Sequence, residues 1–188
     1  MSFTTSGLIT EAERTYALDL LQESRERLHQ LLATVSPTQE IYKPNPNRWS
    51  ITECAEHITL VETGLANVVQ TEITAPSDPA RRSEIRVSDV DVLKAVRSRK
   101  IPITAPGFAV PTGRFSTSAA ALQAFDDQRD TVIQLLQTEP GNLRTHYFVH
   151  RQLGTLDLYQ ATLLMAAHVF RHCKQIEEIK TDTGFPVA

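Results

Sequence analysis

The chain has 188 residues, 41% of them apolar, which is enough for one domain spanning 1–188 with a substantial core and too few for a second full domain. Nineteen basic residues against 22 acidic ones give a formal charge of -3, with no basic run or cluster interleaved with aromatics, so nucleic acid is not an expected partner. No basic segment leads into an apolar run at the start and no window approaches bilayer length, so a soluble, cytoplasmic protein without a membrane partner is expected.

The first helix is expected to begin after Thr10, where Glu13 completes a capping-box pattern. Its inner stripe runs through Ala17, Leu21, Leu28, Leu31 and Val35, and Ser36-Pro37 marks its end. Pro37, Pro44 and Pro46 then break helical continuity up to Trp49. A second capping box, Ser50 with Glu53, starts helix two over about 51–75, with Cys54, Ile58, Val61, Leu65, Val68 and Val69 on its apolar face. Pro76 and Pro79 open a long connection to about Thr117, interrupted by a short helix around Asp89 to Ser98. Such a length either serves topology, carrying the chain from one end of a bundle to the other, or covers a functional site. Ser118 is the expected cap of helix three, whose stripe is Leu122, Phe125, Val132 and Leu136, with Pro140-Gly141 as its stop. Residues 142–154 are expected to form a loop carrying His146, Tyr147, His150 and Arg151, and helix four to begin near Thr155. The fold class is all-α, a four-helix bundle.

The most informative stretch lies in helix four. Leu158, Ala161, Met165, His168, His172, Gln175 and Ile179 recur at steps of three and four, which puts both histidines on the buried seam. Two imidazoles at i and i+4 can reach one ion, and neutral imidazole is the commonest ligand for zinc, nickel and iron. His57, two turns into helix two and bordering the ridge from Cys54 to Val61, is the candidate third ligand. A site of three histidines leaves a coordination position for water or substrate, as catalytic zinc-type sites do. The only cysteines, Cys54 and Cys173, lack thiolate-site spacing and are taken as ordinary thiols.

Two blocks together resemble the DinB/YfiT-like family of metal-dependent enzymes. One is Trp49, Ser50, Glu53 and His57, a Trp-Ser-x-x-Glu-x-x-x-His pattern after a proline-containing loop. The other is the turn at Gly154 followed by His168-x-x-x-His172 and then Gln175-Ile176. Between them, the segment from Ala105 through Gly113 and then Phe125 to Arg129 is similar to the family's proline-rich crossover and third helix.

The resemblance implies a four-helix bundle with a long crossover between helices two and three, and a metal triad of His57, His168 and His172 with no ligand position substituted. It also implies hydrolysis or transfer of a low-molecular-weight thiol on a small molecule, and a homodimer. A divalent ion is the implied cofactor, zinc or nickel first, then iron or manganese. The alternative is a non-catalytic metal- or ligand-binding bundle of the stress-response kind.

Metal held this way lowers the pKa of bound water or ionises a thiol, and acts as a Lewis acid on a carbonyl. Glu53 is a candidate catalytic residue, orienting His57 or moving a proton, set against its plainer role in the helix cap. His150, with Tyr147, is a second candidate from the loop before helix four, set against a solvated turn. Arg171 is placed either for an anionic substrate group or for an ion pair between helices, and Gln175 for a ligand or its water. Trp49 is expected to pack the entrance of helix two, and Glu56 to be surface charge.

Overall fold

Local capping chemistry sets the helix starts. The computed structural model describes residues 8–100, 103–138 and 142–187. The long helices are α1 (Glu11–Leu32), α3 (Ile51–Glu72), α5 (Ser118–Thr138) and α6 (Leu158–Lys180), with the short α2 (Pro37–Glu40) and α4 (Asp89–Arg97) between them. Reciprocal capping boxes open α1 at Thr10/Glu13, α3 at Ser50/Glu53 and α6 at Asp157/Gln160, satisfying amide groups the first helical turn leaves free.

Two expectations are corrected at helix starts. Ser118 is the first residue of α5, and its N–H and hydroxyl both donate to Glu40. The cap is Thr117, whose hydroxyl accepts from the Ala120 N–H. Helix four begins at Leu158, because residues expected to form a loop pair instead as an antiparallel hairpin, β1 (Tyr147–His150) with β2 (Gly154–Asp157). Tyr147, Phe148 and Val149 favour extended backbone, and Gly154 supplies the positive φ of the turn, +75°. Among the described residues this hairpin is the one departure from an otherwise helical set of elements. The expected Pro140-Gly141 stop lies outside the described residues.

Cross-helix bonds fix the helix directions. Leu21 and Ser24 of α1 face Arg129 of α5, while Arg14 reaches Leu136, so α1 and α5 are antiparallel. Arg27 and Leu31 of α1 meet Glu177 and Lys180 of α6, a parallel pair. Thr59 and Glu62 of α3 meet Ala121 and Arg129 of α5, which makes those two neighbours parallel as well. Parallel neighbours of about 20 residues oblige the chain to travel back about 30 Å between them, and residues 73–117 do so, with α4 packed on α6 along the way.

The apolar interior has two halves. One gathers Leu20, Leu21, Leu65, Val69, Leu136, Leu158, Leu163 and Met165; the other gathers Leu28, Leu32, Ile51, Cys54, Ile58, Phe125, Val169 and Ile176. Between them Arg129, wholly buried, pairs with Glu62 and also donates to the Leu21 carbonyl and Ser24, joining α1, α3 and α5. No helix among the described residues is long and apolar enough to cross a membrane.

Candidate metal centre

The α3 start at Ser50 carries the chain to His57 beside Cys54 and Ile58, on the face turned toward α6. The α6 start at Asp157 places His168 and His172 one turn apart on the face turned toward α3. The histidines expected to converge do so: one ring nitrogen from each lies within 4.8 Å of the other two. His57 Nε2 and His168 Nε2 are 3.1 Å apart, and the three ring centroids are separated by 4.5 to 5.0 Å. His57 and His172 are buried, whereas His168 is partly accessible and marks the side open to solvent.

Neighbouring acceptors settle two of the tautomers. His57 Nδ1 is 2.7 Å from the Ala109 carbonyl, which only accepts, so this nitrogen donates and Nε2 keeps its lone pair. His172 Nδ1 is 3.0 Å from Gln175 Oε1 and donates to it, again leaving Nε2 as the free acceptor. Burial pushes His57 below its ordinary pKa, opposed by the Ala109 bond and assisted by Arg171. His168 and His172 lie well below the ordinary value, first through burial and then through the other rings and Arg171. All three are neutral at pH 7 and able to act as ligands.

The donor set fits a divalent ion. Two nitrogens bound to one zinc at about 2.0–2.1 Å stand about 3.3 Å apart at a tetrahedral angle, close to the 3.1 Å between His57 and His168. An N–H···N hydrogen bond has a similar length, so that pair alone decides nothing. With three rings the donors are outnumbered: the Nε2 atoms of His57 and His172 are both unprotonated, and the single proton of a neutral His168 cannot serve both. Outer acceptors on the far nitrogens of His57 and His172 are the arrangement that orients metal-binding imidazoles.

The sequence profile of the DinB superfamily matches residues 20–176. The chain belongs to the DinB superfamily. Its fold is similar to that of YfiT from Bacillus subtilis, described as a probable metal-dependent hydrolase with an unusual four-helix bundle topology. That likeness has a TM-score of 0.65 at 16% identity over 98% of this chain and 95% of that one. TT2238, described as a four-helix bundle protein, is similar with a TM-score of 0.56 at 19% identity over 88% of this chain and 98% of that one. At these identities the likeness concerns the fold. No curated protein matches the chain.

The other candidate residues of this DinB-superfamily chain are dispersed. Glu53 has one carboxylate oxygen on the Ser50 N–H at 2.8 Å and the other on Lys43 at 2.6 Å; its bonds are those of the cap, not of the histidines. His150 ends β1, its Nδ1 accepting from the Gln152 and Leu153 amides at 3.3 Å, and burial lowers its pKa. Tyr147 is buried and donates to the Arg144 carbonyl, so it is not a solvated turn residue. Gln175 meets His172 itself. Trp49 packs against the histidines, 4.7 Å from the His57 ring centroid and stacked at 6.3 Å on His172. Cys54 and Cys173 are buried core thiols; burial pushes Cys54 well up and Cys173 up to about 12, so neither is a reactive thiolate.

Three contributors escaped the sequence reading. Glu56, expected at the surface, is fully buried and accepts the Thr112 and Gly113 amides at 2.8 and 3.0 Å. That clamp holds the α3–α5 connection beside the Ala109 carbonyl, the second contributor. The third is Arg99, which donates to Gln175. A buried carboxylate next to a core histidine has no periodic signature, and a carbonyl 52 residues from its partner has none at all.

Proposed function

We propose that this chain is a metal-dependent enzyme in which His57, His168 and His172 hold one divalent ion, zinc or nickel foremost, for hydrolysis or thiol transfer on a small molecule. The observation that carries the reading is the convergence of three neutral imidazoles, two with their far nitrogens bonded to acceptors. When bound, such an ion supplies Lewis acidity and makes water or a thiol a better nucleophile at neutral pH.

The chain's own residues supply orientation and shielding. The Ala109 carbonyl and Gln175 aim His57 and His172, and Trp49 covers the face those two rings share, keeping water from that side. Access is left beside His168. Arg171 sets a positive potential felt at all three rings, which suits a substrate or leaving group that carries or develops negative charge. A bundle that holds an ion without turnover is the second reading, favoured by one observation: Glu53 and His150, the candidate proton carriers, are engaged with a helix cap and a hairpin turn.

The test is elemental analysis of untagged protein beside the His57→Ala, His168→Ala and His172→Ala variants. About one ion per chain, lost in each variant while the helical circular dichroism persists, is expected, followed by turnover in hydrolysis or thiol-transfer screens with that ion. Protein that takes up no zinc, nickel, iron or manganese overturns the metal reading, and stoichiometric ion without turnover selects the second.

A further inference from the structure

The two oriented histidines are aimed by different kinds of acceptor. His57 donates to a backbone carbonyl, which has no second orientation to offer. His172 faces the side-chain amide of Gln175, which presents either an oxygen or an NH2 group depending on how it is turned. Turned the wrong way, the amide would donate to His172 Nδ1 and drive the ring proton to Nε2, the nitrogen otherwise left for an ion. A protonated Nε2 is no ligand.

Arg99 removes the ambiguity. Its Nη1 lies 3.2 Å from Gln175 Oε1, the atom that His172 Nδ1 approaches at 3.0 Å. A guanidinium only donates, so the amide atom it meets is the oxygen, and the histidine nitrogen on that same atom must carry the proton. Arg99 is itself held by a two-pronged pair with Glu178, Nε to Oε1 at 2.8 Å and Nη2 to Oε2 at 2.7 Å. Glu178 lies three residues beyond Gln175 on α6, so one arginine spans both. Arg48 also reaches Glu178, at 3.3 Å. Arg99 belongs to the α3–α5 connection, two residues past the end of α4.

We propose that Arg99 is a positioning residue for the metal centre: by donating to Gln175 it fixes the orientation of that amide and, through it, the His172 tautomer that leaves Nε2 free to bind an ion. This inference rests on the metal reading above. It gives the α3–α5 connection a second hold on the site, besides the Ala109 carbonyl.

The test uses the full-length protein and two readouts. Long-range imidazole nitrogen spectra of 15N-labelled, metal-free protein report the His172 tautomer, and chelator competition reports zinc affinity. Wild type is expected to show His172 protonated at Nδ1. Arg99→Met is expected to mix the tautomers and weaken zinc binding by ~10–100-fold, the usual cost of losing an outer partner of a metal ligand.

Gln175→Glu in the Arg99→Met background is the discriminating variant. A carboxylate only accepts, whichever way it turns, so the double variant is expected to return to Nδ1 protonation and to bind zinc within about threefold of Gln175→Glu alone. An unchanged tautomer in Arg99→Met, or affinity lost with no recovery in the double variant, overturns the proposal; the second result would mean that Arg99 only anchors the connection through Glu178. Should Arg99→Met fail to fold, Gln175→Leu leaves the Arg99–Glu178 pair intact and is expected to release the same ring. Persistence of the wild-type tautomer there overturns the lock equally. Wild type that binds no metal shows the metal reading itself to be wrong, and the spectra still decide whether Arg99 sets the tautomer.

Discussion

The Arg144 cluster and the histidine cluster are both polar islands in an apolar interior, but they close their hydrogen bonds in opposite ways. Arg144 donates to Asp89 at 3.1 and 2.7 Å, to Asp157 at 3.0 Å and to Glu13, and stacks over Tyr159 at 4.0 Å. Burial works against its charge, yet Asp89, Asp157 and Glu13 more than offset that and raise its pKa. Only Nε of this guanidinium lacks a partner. Asp157 caps α6, Glu13 completes the cap of α1 and Asp89 opens α4, so one cation ties three helix N-termini, where carboxylates are favoured by the helix dipole. The histidines instead converge while His57 and His172 each spend their one ring proton on an outer acceptor. A cluster that satisfies itself holds the fold; one left with unprotonated nitrogens is where the proposed ion would bind.

The largest test of this contrast is Arg144→Met. It leaves Asp157 buried with Arg82 as its remaining cation, and breaking such a pair from one side costs about 3–5 kcal/mol. Urea unfolding should show that loss, with metal content per folded chain unchanged. A drop below about 1 kcal/mol would remove the structural role assigned to the cluster.

Glu56→Ala sharpens the comparison, because Glu56 belongs to the histidine half yet behaves like the other cluster. Its carboxylate is satisfied by two amides from the connection, and hydrogen bonds to charged groups contribute about 1.5–3 kcal/mol each. The variant should lose stability of about that size and also bind zinc more weakly, since the clamp holds the strip of chain that offers the Ala109 carbonyl. Lost stability with intact affinity would separate the clamp from the site.

These two residues also mark the limit of what the sequence discloses. His57, His168 and His172 were legible because their positions follow the helical period of the apolar residues around them, and the capping boxes of α1 and α3 follow from short local patterns. The hairpin was missed because four-residue strands give little alternation, and the aspartate that caps α6 sits inside the second strand. Glu56, Arg99 and Ala109 were illegible for a different reason. Their partners lie 56, 76 and 52 residues away, in contacts that depend on how an aperiodic connection is laid across the bundle.

A smaller effect should appear in the pH dependence of metal-free protein. The three histidines have folded pKa values below the ordinary 6.5, so the unfolded chain binds protons that the folded chain refuses. Their contribution is therefore flat above about pH 6.5 and turns against the folded state as pH falls below it, by up to about 1.4 kcal/mol per pH unit for each ring. Replacing His172 with Gln should flatten the acid limb of the stability curve. An unchanged slope would mean that this ring is protonated in the folded protein.

The smallest expected effect bears on Glu53, which stands one turn from His57 and belongs by its bonds to neither cluster. Its carboxylate reaches back to the Ser50 N–H and pairs with Lys43, so its contribution is that of a capping-box partner. Glu53→Ala should cost about 1 kcal/mol and leave metal affinity unchanged. Glu53→Gln keeps an oxygen for the Ser50 amide and should recover most of that stability. The pair of variants separates geometry from charge: a cap needs only the acceptor, whereas a proton carrier beside the metal needs an ionisable group. Normal stability with lost turnover in Glu53→Gln would therefore move Glu53 from the helix cap to the reaction, and would show that the bonds it makes in this structure give way when substrate arrives.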